Sequence, residues 1–542
     1  MKHPCSTFLE PRSWRVAFGL AFALALSASG PLAQSTTAFI PGERWSVDPP
    51  SGATWIPRGC AFTAHGELVW AATSGAQPEA FLSSTVEVPD PVLERALDFS
   101  GALGAILVAA GPRPDQLYTL HQLAIPGEVT RRTIVRRYDA EHAALGNGFA
   151  PRFNYDLGAL VNAPAHLALS EDGSVLIAAV YDAARGEVQV DLLDPFTGQL
   201  VVRVHFPGSA LRRVELSGDG QRLALCAGNT LLVLDPTGSV LFETDLPGSS
   251  AVFAFSYDGL TFAYGDGGAV YVHQDLGLGY GASTKIPGAV DDVAADVKLS
   301  HDGATLAIAW WNSLVYSEAG LDVFALPALT LLNKLRQAGG SLALQNFPAA
   351  LDMTPDGRRI LLGLWGSSDA SPEILLVERG QAGVVYDVDL PGSPYDLDLD
   401  SSGSRIVAAS KDAHANLFST SGRLQLFETG ERDLVMMDVP KPGQVLRFLA
   451  LLSQPAPTWI LVGFEGDGPL AFPSFYEGLF WLDPARTILP LTTGNLGGNQ
   501  VRATIQVPAG VLMIGLEVAA QAWIATPTGP KLSETVVRPV VL

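Results

Sequence analysis

Six carboxylates, two cations and an imidazole stand at fixed distances ahead of a repeated turn, and they are the side chains best spaced for chemistry. Counting from the Ser, Thr or Asp that begins each turn, position minus four holds Gly59, Ala96, His166, Arg213, Val252, Asp296, Ala350 and Asp396. Position minus two holds Ala61, Asp98, Ala168, Glu215, Ala254, Lys298, Asp352 and Asp398. A hard cation such as calcium takes roughly six to eight oxygens, and the clustered acids could supply several. A metal held there, with His166 beside it, would activate water or polarise a carbonyl. The competing reading is a solvated cavity in which Arg213 and Lys298 neutralise the acids. In either case crowded carboxylates raise one another's pKa.

A second group lies eleven and twelve residues after the turn begins: Tyr181-Asp182, Gly228-Asn229, Trp311-Asn312, Trp365-Gly366 and Lys411-Asp412, with Asp266 one step earlier. Aromatic rings beside Asn, Asp and Lys suit a sugar or a peptide. Asn and Asp also close hairpins through local backbone bonds.

The element that must position both groups is an apolar strand, a tight Asp-Gly turn and a second apolar strand. Clear copies cover 167–179, 214–226, 253–264, 297–309 and 351–362. Their turns read Ser170-Glu-Asp-Gly173, Ser217-Gly-Asp-Gly220, Ser256-Tyr-Asp-Gly259, Ser300-His-Asp-Gly303 and Thr354-Pro-Asp-Gly357. Thr63-Ala-His-Gly66, Asp400-Ser-Ser-Gly403 and a degenerate copy at Ser100 fit the same frame. The eight origins are spaced by 37 to 70 residues, room for four short strands each. Positions minus three and minus one are apolar throughout, so the polar rows share the opposite face. If the first strands surround an axis, those rows line a central channel. The second strands all end on one rim. The repeated Asp residues are expected to form turns, and His65 and His301, in those turns, to be exposed. The long gap at 138–163 reads as an inserted loop. Segment 326–336 is the one candidate for a short helix.

Asp194-Pro-Phe-Thr-Gly198 and Asp235-Pro-Thr-Gly238 supply outer hairpins, with Pro presetting a dihedral and Gly a left-handed one. The Ser-x-Asp-Gly turns followed by these hairpins resemble propellers of the YVTN and WD40-like groups over about 40–428. The resemblance implies an all-β, eight-bladed β-propeller over 40–430, or a seven-bladed one if the Ser100 copy forms no blade. It also implies a wide range of functions, from lactonases and quinoprotein dehydrogenases to binding scaffolds. Quinoproteins would carry Trp after the Thr-Gly hairpin, where this chain has Gln199-Leu200. Segment 433–542 reads as six or seven strands between Gly/Pro turns. It resembles, through Gly515-Leu-Glu-Val-Ala-Ala-Gln-Ala-Trp523, the immunoglobulin-like β-sandwich modules of secreted bacterial proteins.

Residues 1–33 have the features of a signal peptide: basic Lys2, Arg12 and Arg15, an apolar run over 16–26, then small residues to Ala33. No later run is long enough to be a transmembrane segment, so a secreted or periplasmic chain is expected. Without the leader, 31 Lys and Arg face 54 Asp and Glu, about −23, which disfavours nucleic acid and anionic membranes. Cys60 and Cys226 fall in the first and fourth copies. That is too far apart for a disulfide, so both are expected as buried thiols. No nucleophile elbow, Cys-x-x-Cys, His-Glu-x-x-His or phosphate loop occurs. The sequence reading is therefore an exported, non-catalytic scaffold that presents its rim or channel to a protein or carbohydrate partner, with no cofactor. The alternative is a lactonase-like hydrolase using the channel carboxylates around calcium.

Overall fold

The structure, a computed structural model, describes most of residues 42–539. Residues 1–41 and shorter stretches, the longest being 48–54, 85–92, 140–150, 437–444, 471–479, 483–488 and 508–516, lie outside the described residues. The expected leader, the turn at Thr63-Ala-His-Gly66 with His65, and His142 fall outside them. Among the described residues every element is a strand.

Among the described residues, eight four-stranded antiparallel sheets run between Gly42 and Glu428. Numbered along the chain, they cover 55–98, 102–160, 165–207, 211–245, 252–287, 292–338, 348–388 and 394–428. The eighth has three strands of its own and borrows Gly42–Val47 as its outer strand, with Gly42 opposite Glu428. Each sheet meanders outward from an inner strand. These are Trp55–Phe62, Ala102–Ala110, Ala165–Leu169, Leu211–Leu216, Val252–Phe255, Asp292–Leu299, Pro348–Met353 and Pro394–Leu399. Each inner strand touches the next and the last touches the first, so they form a ring around a central channel.

The repeated turn works through its side chains. Ser217 Oγ accepts the Arg222 N–H at 2.9 Å and donates to Asp219 Oδ1 at 2.7 Å, and that oxygen accepts the Gln221 N–H at 2.9 Å. Gly220 supplies the left-handed step at φ +67°. Ser170, Ser256, Ser300 and Thr354 make the same bonds to Asp172, Asp258, Asp302 and Asp356. In sheet 8, Asp400 does this directly, accepting the Ser404 and Arg405 N–H groups. Neighbouring turns are then tied edge to edge: Asp172 N to Gly218 O, Asp219 N to Tyr257 O, Tyr257 N to His301 O and His301 N to Pro355 O.

The core lies between sheets, because a sheet packed on both faces buries both sets of alternating side chains. Ile177, Val188 and Val190 of sheet 3 meet Val214, Leu225 and Leu232 of sheet 4. Trp45, Val407 and Leu424 of sheet 8 meet Cys60 and Phe62 of sheet 1. Cys60 and Cys226 are buried free thiols.

Three sequence expectations change. Leu93–Asp98, ahead of Ser100, is the outermost strand of sheet 1, and the inner strand of sheet 2 is Ala102–Ala110. That strand is wholly apolar or Gly, so it carries no polar row by which it could be recognised. Segment 138–163 is not only a loop, since Phe153–Leu160 is the outer strand of sheet 2. Thr330–Ala338 is a strand paired to Glu318–Ala325, not a helix.

Beyond the ring, strands Leu434–Met436, Val445–Leu451, Gly494–Asn495 and Gln500–Gln506 form one sheet. Thr458–Gly463, Leu489–Leu491, Glu517–Thr526 and Gly529–Pro539 form a second. The two share a core in which Phe448, Ala450 and Val501 meet Ile460, Ala520 and Ile524.

Candidate functional site

The inner strands of sheets 3, 4, 6, 7 and 8 carry all the candidate channel charges except Asp98. Asp98 pairs with Glu79 on the outer edge of sheet 1 and so stands apart from the group. Sheets 1 and 2 give the channel Gly59, Ala61 and apolar residues; a Cβ on Gly59 would stand 3.4 Å from Val108 and 3.7 Å from Asp396.

Charge is settled by pairing within and between inner strands. Arg213 Nη1 lies 2.8 Å from Asp296 Oδ1, and its Nη2 lies 3.3 Å from Glu215 Oε2. Arg213 passes sheet 5, which offers only Val252 and Ala254 at the matching positions, and its guanidinium lies 5.6 Å from the Phe253 ring centre. Lys298 Nζ is 3.9 Å from Asp352 Oδ1. These five side chains keep 17–30% of their surface open. Burial opposes the Lys298 charge, but Glu215, Asp352 and Asp296 outweigh it and raise its pKa. Burial, then Arg213, lowers His166 to about 4, so its imidazole is neutral at pH 7.

The remaining acids join neighbouring sheets. Asp352 Oδ2 accepts the Leu399 N–H at 2.8 Å. Asp396 Oδ2 accepts the Cys60 N–H at 3.0 Å, and Asp398 Oδ2 the Phe62 N–H at 2.6 Å. A carboxylate thereby satisfies an inner-strand N–H that no fifth strand reaches. Burial first, and Asp352 among the neighbouring charges, push Asp396 up to about 7 and Asp398 well above the carboxylate range. The same surroundings, burial first and then Asp396 and Asp398, raise the Cys60 thiol. Among the described residues, no group of three or more His, Cys, Asp or Glu is arranged to hold a metal ion.

The turn-side end of the channel holds a residue the sequence reading misplaced. His301 is only 12% exposed, and its Nε2 lies 2.7 Å from Glu171 Oε2. Its ring packs on Tyr257 with centres 5.1 Å apart.

On the opposite, rim face the second strands end. Tyr181 packs on the core between sheets 3 and 4. Asp182 caps its own turn through the Ala184 N–H, and Asn229 accepts from Arg212 at 2.7 Å. Asn312 is buried and donates to Val290 O. Asp412 accepts from Ser421 and pairs with Arg423 at 3.3 Å. Asp182 and Asp412 therefore close hairpins, while Asn229 and Asn312 tie the ends of the second strands to residues at the start of the inner ones.

Trp311, Trp365 and Lys411 belong instead to a belt. Ring centres step from Tyr316 to Trp311 (5.5 Å), to Phe347 (5.0 Å) and to Trp365 (5.3 Å). Lys411 Nζ lies 5.9 Å from the Trp365 ring centre and 5.8 Å from that of Tyr395, which the Arg58 guanidinium covers at 3.8 Å. Sheets 6, 7, 8 and 1 all contribute. Lys411 is itself buried and donates to Ala415 O at 2.5 Å and Leu417 O at 2.9 Å. Burial, then Arg58, lowers its pKa. The loop it holds is also fixed by the Ala415 N–H to Ser393 Oγ, a hydroxyl that donates to Trp365 O. His414 of that loop stands 3.3 Å from the fully buried Glu373, which burial pushes up to about 8. At the loop's tip Leu417 is 53% and Phe418 88% exposed. Sequence reasoning missed Phe347, Tyr395 and Arg58. Tyr395 and Arg58 both stand at minus five, one step beyond the polar rows.

No protein-family model and no curated protein matches the chain. Solved structures do. The C-terminal WD40 domain of Sif2 is 13% identical with a TM-score of 0.50, over 72% of this chain and 99% of that one. The Dos1 propeller is 12% identical with a TM-score of 0.50, over 72% and 96%. With the ring of four-stranded meanders and its borrowed outer strand, the likeness identifies the fold of this chain as a WD40-like β-propeller.

Proposed function

We propose that the chain is an exported, non-catalytic propeller of eight blades that binds a protein partner on its rim face and ends in an immunoglobulin-like sandwich serving as a spacer. The observation that carries this reading is the tethered loop that holds Leu417 and Phe418 in solvent at the end of the aromatic belt. Apolar side chains that are exposed yet held still lose little entropy on binding, the property expected of an interface anchor. The position of the chain ends adds support. Gly42 stands opposite Glu428, and the Thr429 N–H bonds to Ser404 O in the sheet 8 turn, so the described ends of the ring, Gly42 and Thr429, lie on the turn face.

The test places a photo-crosslinking amino acid at Phe418 and, as a control, at Leu260, which is exposed on the turn face. A discrete protein adduct from position 418 and none from 260 is the expected result. No adduct at 418, or the same products from both sites, would count against the rim.

A further inference from the structure

Glu171 and His301 both follow the first residue of their turns, one in sheet 3 and the other in sheet 6. Sheets 4 and 5 lie between them around the ring, so a contact of 2.7 Å cannot follow the wall. It crosses the channel mouth as a chord. Gly218 and Tyr257 hold the same position in the two sheets spanned. Gly218 leaves room, since a Cβ there would stand 2.2 Å from the Tyr257 ring. Tyr257 packs on the His301 imidazole and donates its N–H to His301 O. Deeper in the same channel, the Arg213–Asp296 pair forms a second chord between sheets 4 and 6.

We propose that Glu171 and His301 form a proton-operated bar across the turn-side mouth of the channel, closed while the imidazole is protonated and released when it is not. The groups facing the pair set its range. Burial opposes the His301 charge, but Glu171, with Asp356 and Asp302, outweighs burial and raises its pKa above 6.5. Glu171 keeps 54% of its side chain exposed, and His301, with Lys298 beneath, outweighs what desolvation it has and lowers its pKa. The sign follows for each partner. Stabilisation from His301 is complete below pH 6.5 and disappears as pH rises through its raised value. Stabilisation from Glu171 disappears only as pH falls through a depressed value. The bar is closed between those limits and opens on the alkaline side, widening the turn-side route by which solutes larger than water reach Ala168, Lys298 and Glu215.

The experiment uses the mature chain with two readouts. One is the imidazole titration of His301 by NMR, assigned with H301Q. The other is the rate at which a methanethiosulfonate reagent labels Ala168→Cys, a position in the same row as Glu215 and Lys298. The midpoint should lie above 6.5 in the native chain and clearly lower in Glu171→Gln, where burial is opposed only by Asp356 and Asp302. At pH 6 the engineered thiol should react several-fold faster in the Glu171→Gln background, and at pH 9 the two backgrounds should react alike. Glu171→Asp, which keeps the charge and shortens the reach, should fall between them. A midpoint that Glu171→Gln does not move overturns the pairing. A midpoint that moves while labelling at pH 6 stays equal overturns the bar.

Discussion

Arg213 spans an entire sheet to reach Asp296: its Nη1 lies 2.8 Å from Oδ1, between inner strands 83 residues apart. This links the two across the channel face of sheet 5, not through the packed seams, and makes the channel part of the structure's cohesion. Sheet 5 permits the reach because Val252 and Ala254 put nothing charged or long in its path.

Arg213→Met should expose that dependence. Glu215 and Asp296 would face each other without their cation, at a cost of roughly 1–3 kcal/mol once their partial exposure is allowed for. Urea unfolding followed by tryptophan fluorescence measures it. Adding Asp296→Asn should recover part of the loss; a double variant no more stable than the single one would show the pair contributes nothing.

Asp396 and Asp398 give a pH dependence of opposite sign to the usual carboxylate. Their folded pKa values lie above the unfolded value of 3.8, to about 7 for Asp396. Below pH 3.8 both states are protonated and there is no penalty. Between 3.8 and about 7 only the unfolded state ionises, so stability falls as pH rises. Asp398→Asn, whose amide oxygen can still accept the Phe62 N–H, should raise the Tm at pH 8 by several degrees and change it little at pH 4. Equal shifts at both values would contradict the assignment.

Lys411→Met keeps the stem against Trp365 and removes two hydrogen bonds to loop carbonyls. The expected cost is about 1–2 kcal/mol, with faster hydrogen exchange at the Ala415 amide and unchanged exchange in the strands. If Ala415 exchanges at the native rate, Lys411 does not hold the loop.

Ser217→Ala, Ser256→Ala and Ser300→Ala should each cost about 1–2 kcal/mol, because each leaves a turn N–H without its side-chain acceptor. Similar values across three sheets would mark the turn as a modular unit. Thermal melts with millimolar calcium or with chelator should coincide, since the channel acids are taken up by Arg213, Lys298 and inner-strand N–H groups. A calcium-dependent rise of several degrees would favour a metal site in the channel.

The parts of this fold legible in the sequence are those whose cause is local. A Ser-x-Asp-Gly turn carries its own hydrogen-bond partners, so its register fixes which residues line the channel and which reach the rim. Sheet 2 escaped because Ala102–Ala110 has no polar row, and Leu93–Asp98, with Asp98 between Leu97 and Phe99, imitated one. Thr330–Ala338 misled because Leu331, Leu332 and Leu335 fall at helical spacing while pairing with a neighbour fixes a strand. The His301–Glu171 contact and the belt through Phe347 and Tyr395 could not be read, because they join residues tens to more than a hundred positions apart. Only the ring brings them together.

The six residues Gly42–Val47 make the order of events during synthesis matter. Their partner strand ends 386 positions later, at Glu428, so the earliest strand of the ring must wait unpaired until nearly all the rest has been made. Closing so long a loop is entropically costly but grows only slowly with length; what it sets is timing. Sheet 8 can then be completed only in the last step, and any interruption before residue 428 leaves an open arc with two bare edges able to pair with other chains.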